Sequence, residues 1–369
     1  MSASHASPDS WWQVLLSTLP TNSCHQALTY FANESLNIDD APAIYPLHHY
    51  GLIDISGPDA SKFLQGQLTA DVDALTAGNS TLSAHCDPKG RMHSSFTLHC
   101  VTDDHYLLHM PLAVIPIALA ALNKYAVFSK ATLVDLSEDY AAFASSKLND
   151  QQQLLITDDD SFTLCANISS EESTHKEAIN NIGLIHWVKR TAANKFVQQI
   201  NSASNPPHWR GAAQWEYRLI DAGIGFVQLQ TVGEFIPQML NFDYLNGISF
   251  TKGCYTGQEI IARLKYRGQV KRRCYGIEIN SDVNILPGAE LLNEQGKSLG
   301  NIVSSVANPA SAQDADSNLQ SGHMAGLAVL KVASISEQTQ LTLKDDPQAS
   351  VRIEVKALPY AINNSDAAN

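Results

Sequence analysis

The residues best suited to chemistry lie in Gly247 to Arg273, GISFTKGCYTGQEIIARLKYRGQVKRR. Lys252 to Gly257 carries two glycines around one cysteine, so the backbone turns sharply there. Gln258 to Leu264 follows, with Ile260, Ile261 and Leu264 at helical spacing. Glu259 falls in the first turn, where a carboxylate suits the helix dipole, and stands four residues before Arg263, a favourable pair. Cys254 is therefore predicted on a tight loop just ahead of a helix N-terminus, with Lys252 two residues away. Both features favour a thiolate, the nucleophilic and metal-binding form, over a thiol. The competing reading is a buried structural cysteine. The Gly-Cys-Tyr-Thr-Gly setting favours function. Ile248 to Thr251, short, apolar and β-branched, predicts a strand leading into the loop.

KGCYTGQE, followed by an arginine and a basic RG-x-x-KR tail, resembles the signature of the YgfZ family. The resemblance continues through LQGQLTADV, AHCDPKGRM, KYAVFSK and LPY, and so covers most of the chain from about Ala43 to Tyr360. Members are folate-binding proteins linked to iron–sulfur enzymes and tRNA modification, related to the glycine-cleavage T-protein aminomethyltransferases. The resemblance implies an α+β, T-protein-like multidomain fold with a central folate cavity and a C-terminal β-barrel. It divides the chain into an extension at 1–42, a discontinuous folate-binding unit at 43–140 and 225–275, an inserted α+β unit at 141–224 and a barrel at 276–369. Tetrahydrofolate or a derivative is the implied cofactor. Trp215 stands at one of the family's folate-associated tryptophans, and Tyr50 replaces the other. Tyrosine still stacks on a pterin ring, with less area and an added hydroxyl. Plain core packing is the alternative for both. Glu234 and Gln238 lie on a loop that lines the folate cavity in T-proteins, and Arg263 could pair the glutamate tail of folate. Cys254 would be the reactive or cluster-proximal group, with Lys252 and Arg263 tuning it.

The chain departs from the T-proteins at one hairpin. There a matching turn is followed by Gly-Gly-x-x-Asp-Asp, whereas this chain has Gly90-Arg91-Met92-His93-Ser94-Ser95. A serine hydroxyl cannot serve as a charged partner or general base near neutral pH. This counts against aminomethyl transfer and leaves folate binding open. The resemblance thus implies a maintenance factor for iron–sulfur enzymes or cluster-assembly proteins, including those that methylthiolate tRNA. The alternatives are a folate-dependent one-carbon transferase and a non-enzymatic tRNA-binding adaptor. Between Lys252 and Arg273 there are seven basic residues (Lys252, Arg263, Lys265, Arg267, Lys271, Arg272, Arg273) against Glu259 alone. Such an excess suits a carboxylate, RNA phosphates through a weak tRNA contact, or solvent. No RNA-binding module signature accompanies it.

Several elements must position these residues. Tyr50 to Ile55 reads as a strand ending at the turn Ser56-Gly57-Pro58-Asp59, with Ser56 or Asp59 available to cap a helix over Ala60 to Gln65. Leu82 to His85 and His93 to His99 read as strands around Asp87-Pro88-Lys89-Gly90. Val114 to Phe128 reads as a core helix, with Pro116 in its first turn, leading into a strand at Ala131 to Asp135. Ala141 to Ser145 and Phe162 to Ala166 are further strands, separated by polar turns. Ser169 to Asn181 suits an exposed helix start. After the Pro-Pro break near Asn205 to Trp209, Gln214 to Ile220 reads as a helix ended at Gly223. Six short strands between Cys274 and Val355 argue for a small barrel or sandwich. At the start, Trp11, Trp12, Leu15 and Leu16 mark a short helix.

Length and charge bound the rest. At 369 residues the chain expects two or three domains. A net charge of −13 repels nucleic acid and anionic membranes in bulk, so any RNA contact needs a local basic patch. No apolar run spans a bilayer, and the first residues do not read as a secretory signal. The six cysteines are scattered without C-x-x-C, which argues for reduced thiols in a cytoplasmic protein and against a zinc site or disulfide scaffold. The 13 histidines are dispersed, and His105 and His109 read as ordinary strand residues.

Overall fold

The computed structural model describes residues 10–17, 19, 41–148, 161–165, 182–281, 285–307, 323–335, 339–346 and 351–362. The polar turn residues 149–153 and 158–160, between the strands expected at Ala141 to Ser145 and Phe162 to Ala166, and the helix start expected at 169–181 lie outside them.

Two five-stranded sheets and a closed six-stranded barrel carry the fold. The first sheet joins β2 (Tyr50–Ser56), β3 (Ser80–Cys86), β4 (Met92–Thr102), β5 (His105–Pro111) and β6 (Thr132–Asp135) in the order β3-β4-β5-β2-β6. Strands β3 and β4 pair antiparallel around Asp87–Gly90, as the turn residues predict. One face of this sheet is covered by helices Ala60–Gln65 and Ile115–Ala126, whose buried Phe63, Leu64, Ala118 and Leu122 pack on Ile53, Phe96, Leu98 and Leu108. Asp59 begins the first of these helices but does not cap it through its side chain. Its carboxylate accepts the N–H of Lys130 at 2.8 Å instead. That bond ties the start of the helix to the segment entering β6.

The second sheet runs β10-β1-β7-β9-β8, from β1 (Ala43–Pro46), β7 (Tyr140–Ser146), β8 (Ser161–Cys165), β9 (Leu184–Lys189) and β10 (His208–Trp209). Strand β1 is far from its neighbours in sequence yet pairs antiparallel with β7 and parallel with β10. Helix Ser10–Ser17 packs here, with Trp12, Leu15 and Leu16 against Ile44, Phe143 and Phe196.

The barrel closes as β11-β14-β13-β12-β15-β16, from β11 (Arg272–Asn280), β12 (Glu290–Leu292), β13 (Ser298–Ala307), β14 (His323–Lys331), β15 (Gln340–Leu343) and β16 (Arg352–Lys356). All six strands fall where the turn spacing predicts. Among the described residues, no helix is long and apolar enough to cross a membrane.

One core serves all three bodies. It takes Leu52, Leu82 and Leu107 from the first sheet, Tyr45, Ala142 and Trp187 from the second, and Val303, Leu327 and Val329 from the barrel. Each fully buried leucine or valine among them stabilises the fold by about 1.5–3 kcal/mol. Helix Ala212–Asp221 lies between β1 and barrel strands β13 and β14, which is why its Trp215, Leu219 and Ile220 are buried.

Candidate functional site

The predicted strand at Ile248 to Thr251 is instead irregular, with bends at Phe250 and Thr251. Its residues have the propensity but lie beside no strand to complete a ladder. Ser249 makes one backbone bond, donating its N–H to Thr69 O at 2.9 Å. The loop and helix that follow are as expected. Cys254 precedes the helix Gln258–Tyr266 and is exposed. Cys86, Cys100 and Cys274, the other cysteines with described side chains, are buried. Burial pushes the Cys274 thiol up to about 12 and that of Cys86 higher still. Cys254 is thus the solvent-accessible sulfur among them.

The loop is held at three points. Lys252 is buried, and its Nζ donates to Leu68 O at 2.9 Å and Ala70 O at 2.7 Å. Burial lowers its pKa to about 8, against the opposing charges of Asp71 and Asp73. The amine anchors the loop to the segment after helix Ala60–Gln65, and these carbonyls are its hydrogen-bond partners. Gly257 has φ +87°, and a Cβ there would lie 2.6 Å from Asp87 O. Gly90, also left-handed at φ +74°, sits against Ile260. The motif therefore seats on the β3–β4 turn through two glycines. Gln238 is buried, and its Nε2 donates to Ile261 O at 2.8 Å, while its Oε1 is buried without a partner. Arg263 is exposed on the helix. Glu234 is exposed, and its carbonyl accepts from Arg91.

Trp215 lies elsewhere, on the wall of a chamber between the two sheets and the helix that carries it, and Tyr50 stands behind that wall, stacked on His109. Leu82, Thr97, His109, Ile185, Trp215 and Phe226 are among its walls. Trp215 is fully buried, and its indole Nε1 finds no acceptor. His109 Nδ1 is likewise buried without a partner. Burial, helped by the charge of His49, lowers the His109 pKa to about 3, so the ring is neutral at neutral pH. The Tyr50 ring stacks on His109 with centroids 4.4 Å apart and planes 12° apart. Its hydroxyl donates to Glu216 Oε1 at 2.9 Å, and that oxygen also meets His49 Nε2 at 2.9 Å. Burial first, then the Glu216 charge, raises the Tyr50 pKa well above the usual phenol range. Sequence reasoning took His109 for an ordinary strand histidine, whereas the structure places it on the chamber wall. Its place in the strand alternation was the available signal, and the pairing of β5 with β2 brings it to Tyr50. Of the hairpin serines, Ser95 has structural work, its Oγ accepting the N–H of Val227 at 2.8 Å, while Ser94 Oγ is buried without a partner.

The walls suit a pteridine in kind, with aromatic faces and two unpaired buried ring nitrogens. They do not yet suit it in size, because the free space is about 10 Å³, roughly one water. A folate would enter only as the walls part.

The basic run divides on inspection. Arg273 is buried, bidentate to Asp243 at 2.6 and 2.9 Å, and donates to Gln238 O at 2.8 Å. With Lys252 also buried, the exposed cations are Arg263, Lys265, Arg267 and Lys271, with Arg272 half-buried.

A family model described as the GCVT N-terminal domain matches residues 8–145. An uncharacterized protein of Haemophilus influenzae is 35% identical, covering 70% of this chain and 83% of its own. The tRNA-modifying protein YgfZ of Serratia proteamaculans is 31% identical, covering 86% of this chain and 92% of its own. The crystal structure of glycine cleavage system aminomethyltransferase T from Bartonella henselae superposes with a TM-score of 0.65 over 86% of each chain, at 17% identity. That likeness shows the fold.

Proposed function

The chain belongs to the family of the tRNA-modifying protein YgfZ, and from that premise we propose that it is a cytoplasmic, folate-binding factor supporting iron–sulfur enzymes of tRNA modification, methylthiolation included. The observation that carries the folate part is Trp215, fully buried at the chamber wall with its indole N–H unpaired, on the same lining as His109, whose Nδ1 is also unpaired. Buried polar groups in a folded chain are almost always satisfied, so two unpaired nitrogens on residues that line one cavity call for a bound group. Trp215 would take the ring system on the chamber wall, with Tyr50 supporting it from behind by its stack on His109. Gln238, with its free buried Oε1, and Arg263 are the further contacts in this reading. A reduced folate supplies a pterin able to carry one-carbon groups.

Cys254 acts outside the chamber, on the exposed loop. Lys252 positions it by fixing the loop to Leu68 and Ala70. One thiolate cannot hold an iron–sulfur cluster alone, since such clusters take several cysteine ligands. In this reading the cluster belongs to the client, and Cys254 meets it at the surface. The serines at the hairpin weigh against aminomethyl transfer, because Ser95 is committed to the Val227 backbone.

Titration with tetrahydrofolate, followed by tryptophan fluorescence, tests the folate reading. The wild type should bind. Trp215→Ala should weaken binding at least tenfold, with Trp187, 5.6 Å from His109, still reporting. Cys254→Ala should bind as the wild type does. A wild type that gives no saturable signal sinks the folate reading.

A further inference from the structure

The segment KYAVFSK, Lys124 to Lys130, has no part in the chamber or the cysteine loop. It nevertheless carries the densest group of exposed large apolar side chains among the described residues. Phe128 is 94% exposed, Val127 77% and Tyr125 41%. Three of the seven exposed large hydrophobic residues among those described thus fall within four positions. Singly scattered apolar residues need no explanation, but a cluster rimmed by polar groups marks an interaction site.

The cluster is presented rather than loose. The Ser129 N–H closes a turn on Ala126 O at 2.9 Å, and Lys130 N–H is held by the Asp59 carboxylate at 2.8 Å. Gly57 packs so tightly on this turn that a Cβ there would lie 2.3 Å from Lys130 O. The backbone is therefore pinned on the body of the first sheet while the side chains of Val127 and Phe128 project outward.

The rim is basic. Lys124 and Lys130 flank the cluster and Lys89 stands on the nearby β3–β4 turn, all three exposed. Two local carboxylates are spent on backbone: Asp59 on Lys130, and Asp87 on the N–H groups of Lys89 and Arg91 at 2.8 and 2.9 Å. Both carboxylates keep their charge, so three exposed lysines stand against two carboxylates, a small local excess of positive charge in a chain of net charge −13.

The cluster also shares an end of the sheet with Cys254. The Tyr125 ring lies 6.3 Å from that of His85. The next residue, Cys86, and Asp87 pack against Gly257, three residues beyond Cys254. A partner seated on Val127 and Phe128 would reach across the β3–β4 turn toward the exposed thiol.

We propose that Tyr125, Val127 and Phe128, rimmed by Lys124, Lys130 and Lys89, dock a client protein that offers an apolar pocket edged with carboxylates, and that this docking brings the client to Cys254. The adjacent aliphatic Val127 favours a protein pocket over an RNA platform, which would use aromatic faces alone for stacking. The inference rests on reading the chain as a factor that serves a client enzyme, and it names the surface of contact.

The test uses the full chain and a purified iron–sulfur tRNA methylthiotransferase, with binding followed by interferometry. Val127→Ser with Phe128→Ser alters only exposed side chains, so the thermal midpoint and the tetrahydrofolate titration should match the wild type. Its binding to the enzyme should be at least tenfold weaker. Lys124→Glu with Lys130→Glu should weaken binding and flatten its salt dependence. Equal binding by the serine variant and the wild type overturns the proposal, as does a wild type that does not bind the enzyme. A serine variant that keeps the enzyme but loses unfractionated tRNA overturns it in favour of an RNA contact. The folate titration reads the Trp215 chamber, which neither variant touches, so the folate reading and the docking surface can fail separately.

Discussion

Arg273 looks like any other member of a basic run, yet its guanidinium is enclosed by Asp243, the Gln238 carbonyl and the ring of Tyr244, 4.8 Å away. Removing one partner of a buried ion pair strands the other, at a cost of about 3–5 kcal/mol. Arg273→Met should therefore lower the urea midpoint sharply, whereas Arg267→Met, on an exposed residue, should leave it within about 0.5 kcal/mol. Equal midpoints for the two would refute the distinction. The sequence shows the excess of positive charge but not which cations are free. That depends on carbonyls and carboxylates brought in from distant segments, such as Leu68 and Ala70 for Lys252, 184 and 182 positions away. His109 is a similar case. Alternation puts it on a face, but only the pairing of β5 with β2 lays it on Tyr50.

At the level of elements, the helix after Cys254 was legible because Ile260, Ile261 and Leu264 repeat at its period and the glycines mark its start. The segment before it misled, because β-branched residues favour a strand only where a neighbour completes the ladder. What seats the motif is steric. Gly257→Ala should cost at least about 2 kcal/mol, from the left-handed backbone and the contact with Asp87 O. Gly253→Ala, in the same motif, has nothing within 4 Å of the added carbon and should be nearly neutral. Urea denaturation of both variants separates packing from loop entropy. Comparable losses at the two sites would show that flexibility, not the approach to Asp87, is what glycine provides. The barrel strands were legible for the opposite reason, since their turns recur and each strand finds partners on both sides.

Across the whole molecule, buried neutral histidines set the response to acid. Burial holds His85, His109 and His186 down at about 3 and His99 at about 4. Between pH 6.5 and about 4 the unfolded chain takes up protons on these rings that the folded chain refuses. Stability therefore falls as pH falls, by roughly 1.4 kcal/mol per pH unit for each ring. Urea midpoints at pH 7, 6 and 5 should decline, and His186→Gln should make the decline shallower. An unchanged slope would mean that His186 charges in place. The same molecule-wide view gives the C-terminal LPY segment a role. Tyr360 donates to Gly223 O at 2.8 Å and accepts from Asn241 Nδ2, which also holds Cys274 O. One side chain thus joins the end of the chain to the helix carrying Trp215, the loop of Gln238 and the first barrel strand. Because the core is shared by both sheets and the barrel, the wild type should unfold in one transition. Tyr360→Phe leaves the ring in place and should cost about 1–3 kcal/mol without changing that shape. Tyr360→Ala opens a cavity at the junction, costs about 3–5 kcal/mol, and should split the thermal unfolding so that the barrel melts first. A single transition at the Tyr360→Phe midpoint would show that the shared core, without this tyrosine, couples the three bodies.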